Sequence, residues 1–150
     1  MKEFKSVNDI LDFAIANEEE AEKFYLEMSK KAPGGMREGF VSLSKEEAGH
    51  KKKLLAVKEG NKLLSSEGKV LDLKIGDYLV DVNPTADMNY LEVLITVMKK
   101  EKAAYKLYTN LADNADTPEL KDLFLGLAQE EAKHKLRFEV EYDDEIYKEN

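Results

Sequence analysis

The sequence predicts an all-α protein: a four-helix bundle made of two antiparallel helix hairpins joined by a long crossover. Three observations carry that prediction. Only three prolines and eight glycines occur, and they cluster between long stretches rich in Ala, Glu, Lys and Leu, which are strong helix formers. Those stretches carry apolar residues at alternating spacings of three and four, the period of a helix with one buried face. The connections are short, long and short in order, so neighbouring helices pair within each half of the chain.

The first helix is expected from about Val7 to Lys31, with Ser6 as N-cap and Asp9 three residues on as a variant capping box. Ala32-Pro33-Gly34-Gly35 ends it, because proline and paired glycines break a helix. The second is expected from about Met36 to Leu64. The third covers about Asn89 to Ala112, after the turn-like Val82-Asn83-Pro84-Thr85. The fourth opens at Thr117-Pro118, an N-cap followed by proline at the first helical position, and continues to about Tyr147. Between the hairpins lies a crossover of roughly Ser65 to Met88 whose apolar Val70–Leu79 portion is expected to pack as a short helix or extended piece.

With 150 residues, the simplest expectation is one domain spanning 1–150. No apolar run approaches the ~18 residues of a membrane helix, and the first residues lack a signal-peptide core, so a cytoplasmic protein is expected. A net charge of −8 argues against nucleic-acid or anionic-membrane partners, which need concentrated Lys and Arg. The absence of cysteine excludes disulfides, thiolate metal sites and iron–sulfur centres within this sequence.

Each apolar stripe is interrupted near its middle. The first helix reads Val7, Leu11, Ala14, Glu18, Ala21, Tyr25, Met28, and the second Met36, Phe40, Leu43, Glu47, His50, Leu54, Val57. The third reads Leu91, Leu94, Met98, Glu101, Tyr105, Tyr108, Ala112, and the fourth Leu120, Phe124, Leu127, Glu131, His134, Phe138. Six ionisable side chains thus point at the core, where each would cost several kcal/mol if left unpaired. Metal coordination removes that cost.

A duplication strengthens the pattern. Phe40 to Leu54 aligns with Phe124 to Phe138 at an offset of 84, and the first helix aligns with the third at 83. Glu18 then pairs with Glu101, Tyr25 with Tyr108, and the two histidines of the chain with each other. A lone Glu-x-x-His on a helix is usually a surface ion pair. Two copies in register with stripe glutamates on the other helices predict a two-metal site between four helices.

The predicted ligands are Glu18, Glu47, His50, Glu101, Glu131 and His134, with Glu47 and Glu131 bridging and Glu18 and Glu101 capping one metal each. One Glu from each of two helices plus a Glu-x-x-His from each of the others is the established pattern of ferritin-like di-iron and di-manganese proteins, so this is a match to it. Two iron ions are expected, although manganese and zinc accept the same donors. Tyr25 and Tyr108 are either hydroxyl donors to the cluster carboxylates or ordinary core tyrosines. Glu46, Glu130 and the Glu19, Glu20, Glu22 group lie off the stripes and are expected to be solvated rather than ligating.

The chain also resembles the rubrerythrin family of the ferritin-like superfamily, through Ala14–Tyr25, the Glu-x-x-His motifs of Glu47 and Glu131, and Glu101–Tyr108. The resemblance implies a non-haem di-iron site, often in a homodimer. It further implies reduction of hydrogen peroxide in defence against oxidative stress. Two departures stand out. Rubrerythrins proper carry a four-cysteine rubredoxin domain; without cysteine, this chain is expected to be a stand-alone form served by an external electron-donor protein. They also have a further carboxylate ligand on the third helix, where the candidate positions here hold Met98 and Ala104. Reduction of peroxide or O2 is therefore the leading expectation. Ferroxidase activity with iron storage or buffering, and oxygenation of an organic substrate, are the alternatives.

Overall fold

The computed structural model describes residues 7–32, 34–60, 88–115 and 117–149. They form four helices: α1 (Val7–Lys31), α2 (Met36–Glu59), α3 (Tyr90–Asp113) and α4 (Pro118–Glu149). α1 packs along α2 and α3 along α4, giving the two expected hairpins. The Ser6 cap and nearly all of the crossover lie outside the described residues.

Local chemistry sets the helix ends. Asn89 is extended, and its side-chain oxygen accepts the N–H of Glu92 at 2.8 Å, which satisfies an otherwise open donor at the start of α3. Thr117 does the same for α4, accepting from the Leu120 N–H at 3.1 Å, and Pro118 fills the first helical position. α2 lacks a side-chain cap at Gly35. It ends at Glu59, where the Gly60 N–H closes onto the Ala56 carbonyl at 3.0 Å; residues 61–64, to which its pattern extends, lie outside the described residues. α4 runs two residues beyond the expected Tyr147.

The core falls into two apolar halves. One gathers Ile10, Leu11, Leu54, Val57, Leu107, Leu111, Leu120, Phe124 and Leu127. The other gathers Tyr25, Met28, Phe40, Leu43, Val93, Leu94, Val97 and Phe138, with the Tyr25, Phe40 and Phe138 rings about 6 Å apart between centroids. Each half draws on all four helices, so both hold the hairpins together. Between them lies the layer of stripe interruptions. One stripe position is corrected: Tyr105 is 44% exposed, and Ala104 packs against the core instead. Among the described residues, no helix is long and apolar enough to cross a membrane.

Candidate metal centre

Glu18 comes from α1, Glu47 and His50 from α2, Glu101 from α3, and Glu131 and His134 from α4; all six are at most 3% exposed. The structure brings them into one cluster. Glu18, Glu47, His50 and Glu131 each offer a ligand atom within 4.8 Å of the others, and so do Glu47, Glu101, Glu131 and His134. Glu47 and Glu131 belong to both groups, while Glu18 and Glu101 each belong to one. That is the geometry of two adjacent cation sites sharing two carboxylates.

The contacts come in matched pairs, as the duplication requires. His50 Nδ1 lies 2.8 Å from Glu131 and 3.5 Å from Glu18, while His134 Nδ1 lies 3.0 Å from Glu47 and 3.6 Å from Glu101. The imidazole rings are nearly parallel, 6.0 Å apart. Tyr25 donates its hydroxyl to Glu101 at 2.6 Å, and Tyr108 donates to Glu18 at 2.5 Å. Each tyrosine therefore reaches from one hairpin to the glutamate of the other.

Sequence reasoning missed two residues. The outer nitrogen of His50 meets Glu130, and that of His134 meets Glu46 at 2.8 Å. Both carboxylates are half-exposed, as expected, yet they are not merely solvated. A neutral imidazole donating from Nε2 has a lone pair on Nδ1, and here Nδ1 faces the cluster. The available signal was a glutamate just before the inward Glu in both copies of the repeat.

The cluster is electrostatically costly as a purely protein site. Burial, reinforced by Glu18, pushes Glu47 well above the usual carboxylate range, and burial with Glu101 does the same to Glu131. Burial also raises Glu101, but the adjoining Glu131 and His134, with the Tyr25 hydroxyl, outweigh it and hold this group low. Desolvation lowers both histidines, and the carboxylates around them outweigh it: Glu18 and Glu130 at His50, Glu101 and Glu46 at His134. Tyr25 and Tyr108 rise well above the phenol range through burial and the adjoining glutamates.

A direct test of fit comes from polar atoms left without hydrogen-bond partners. Among the described residues these are Glu18 Oε2, Glu47 Oε1, His50 Nδ1, Glu101 Oε2, Glu131 Oε1 and His134 Nδ1, one from each candidate ligand. Native interiors leave few such atoms, and six in one cluster call for a partner. Two divalent cations balance the charge of four carboxylates, and mixed O/N donors suit a transition metal better than magnesium or calcium. The residues fit a two-metal centre.

A cavity of about 520 Å³ opens between α1 and α3 onto the carboxylates. It lies away from the outer histidine nitrogens, which face α2 and α4 neighbours.

The comparisons agree with this geometry. A structure described as that of a ferritin-like diiron-carboxylate protein from Thermotoga maritima matches with a TM-score of 0.75. The match covers 97% of this chain and 99% of that one at 23% sequence identity, which identifies the fold as ferritin-like. A search of curated proteins finds no match. The rubrerythrin family matches residues 9–80 and 92–150, both hairpins and every candidate ligand included. The chain belongs to the rubrerythrin family.

Proposed function

We propose that the chain is a non-haem di-iron redox protein that reduces hydrogen peroxide or O2 with electrons from an external donor protein. Glu18, Glu47, His50, Glu101, Glu131 and His134 hold the two irons in this reading. The observation that carries it is the convergence of six buried, unpartnered ligand atoms from four helices. Family membership supports the peroxide and O2 chemistry.

Bound iron supplies the two electrons that peroxide reduction consumes, with two protons, to give two waters. The residues of the chain set the conditions. Glu130 and Glu46 fix the orientation and tautomer of the histidines, and Tyr25 and Tyr108 hold Glu101 and Glu18 in place. The apolar halves of the core keep bulk water from two sides, and the cavity between α1 and α3 gives a small oxidant access. A second reading, oxygenation of an organic substrate, is favoured by the size of that cavity.

Metal analysis with stopped-flow oxidation tests the proposal. The reduced protein is expected to hold two irons per chain and to be oxidised rapidly by peroxide. Glu47→Ala and His134→Ala are expected to lose both properties; normal peroxide reactivity in both variants rejects the assignment.

A further inference from the structure

The space between α1 and α3 is far larger than peroxide or O2 requires. A water-sized molecule needs only ~10–15 Å³ of such volume. The cavity has about 520 Å³, within the ~300–1,000 Å³ typical of sites for small organic ligands. We propose that it binds a neutral, mainly apolar organic molecule, such as a medium-chain alcohol or a one-ring aromatic, beside the carboxylate cluster. Its role as a substrate chamber rests on the di-iron reading; its occupancy does not.

The chemistry of the walls selects this ligand class. Phe13, Ala21, Phe24, Val97, Ala104 and Leu107 form the sides, with aromatic and branched surfaces but no hydrogen-bonding groups. Polar side chains enter from Asn17, Glu20 and Lys100, of which Asn17 and Glu20 are exposed, and from Tyr25 and Tyr108, whose hydroxyls are taken up by Glu101 and Glu18. The deep end is the glutamate cluster, which disfavours an anion there. A cation competes with the proposed metals for the same oxygens. A neutral molecule avoids both conflicts, and displacing water from the apolar walls favours its entry.

Two alanines create the room. Ala21 and Ala104 each lie three residues, one turn, after a capping glutamate, and they are equivalent under the 83-residue offset. Both line the cavity, so a methyl group stands on each side where a longer side chain would fill the space beside the cluster. Ala104 is also a candidate position for the further carboxylate of rubrerythrins proper. At that position this chain has space in place of a ligand.

The test is a fluorescence titration of the metal-loaded and the chelator-treated protein with N-phenyl-1-naphthylamine, a neutral apolar dye. Saturable binding of one dye per chain, displaced by 1-decanol, is expected in both forms. Ala21→Phe and Ala104→Phe are each expected to weaken binding about tenfold or more, the worth of roughly two buried methylene contacts. Far-ultraviolet circular dichroism and iron content establish that each variant is folded. Leu136→Lys, on the exposed face of α4, controls for dye held at the surface and is expected to bind normally. No saturable binding in the unsubstituted protein overturns the proposal, as does binding that only Leu136→Lys removes. Bound iron without dye binding rejects the chamber alone, whereas dye binding without iron rejects the di-iron reading alone.

Discussion

The Tyr108 hydroxyl donates to Glu18 from the opposite hairpin, and both side chains are buried. A phenol so placed gives a buried carboxylate oxygen its hydrogen-bond donor. Tyr108→Phe keeps the ring and leaves Glu18 Oε1 without its donor. The expected cost is about 1–3 kcal/mol, read from urea denaturation, and an unchanged midpoint contradicts this role for the hydroxyl. Tyr90 makes a related contact outside the cluster, donating to Glu141 at 3.1 Å. Burial first, and the Glu141 charge second, raise its pKa above the ordinary 10.0. A raised folded-state pKa means that its stabilising contribution is complete below the unfolded value and is lost as pH rises through the folded one. Above about pH 10, where the unfolded tyrosine ionises and the folded one does not, the unfolding free energy is therefore expected to fall less steeply with rising pH in Tyr90→Phe than in the unsubstituted protein. Equal slopes contradict the shift.

Helix ends test the contribution of local sequence. Asn89→Ala and Thr117→Ala each open a backbone donor that the present side chain satisfies, and each is expected to cost about 1 kcal/mol in denaturation experiments. The Thr117 cap was legible because its chemistry is local, a short polar side chain just before a proline and a periodic run, whereas the sequence pattern placed Asn89 inside its helix rather than at its cap. The helix breaks and the six inward ionisable residues were legible for a similar reason, since helical periodicity alone places them on one face. Residues whose role depends on a neighbouring helix were less so. Glu46 and Glu130 lie off their own stripes, and only the approach of α2 to α4 brings each to the other helix's histidine. A stripe can run from Glu101 to Tyr108 through either 104 or 105, and helical spacing alone does not choose between them. The folded helix turns Ala104 inward and leaves Tyr105 exposed. That choice opens the cavity, a property of spacing between hairpins that no single-helix pattern contains.

Across the described residues, two apolar cores enclose a layer of ionisable side chains, whose burial costs free energy unless they are paired or neutralised. Protons can do this in part, as the raised Glu47 and Glu131 show, but they leave four carboxylates and two imidazoles crowded together in one buried layer. Two cations satisfy all six atoms at once. A ligand present at 100 to 1,000 times its dissociation constant stabilises a fold by about 2.7–4.1 kcal/mol per site. For a chain of this size, 1 kcal/mol corresponds to roughly 2–4 °C, so removing both metals is expected to lower the melting temperature by about 10–30 °C. Scanning calorimetry before and after chelation measures the difference, and restored metal should reverse it. The same treatment of His134→Ala separates metal loss from general effects of the chelator. With one cation site already broken, its melting temperature is expected to start lower and fall less. A drop equal to that of the unsubstituted protein shows that the chelator acts elsewhere; no drop in either shows that the charged layer is held together without metal.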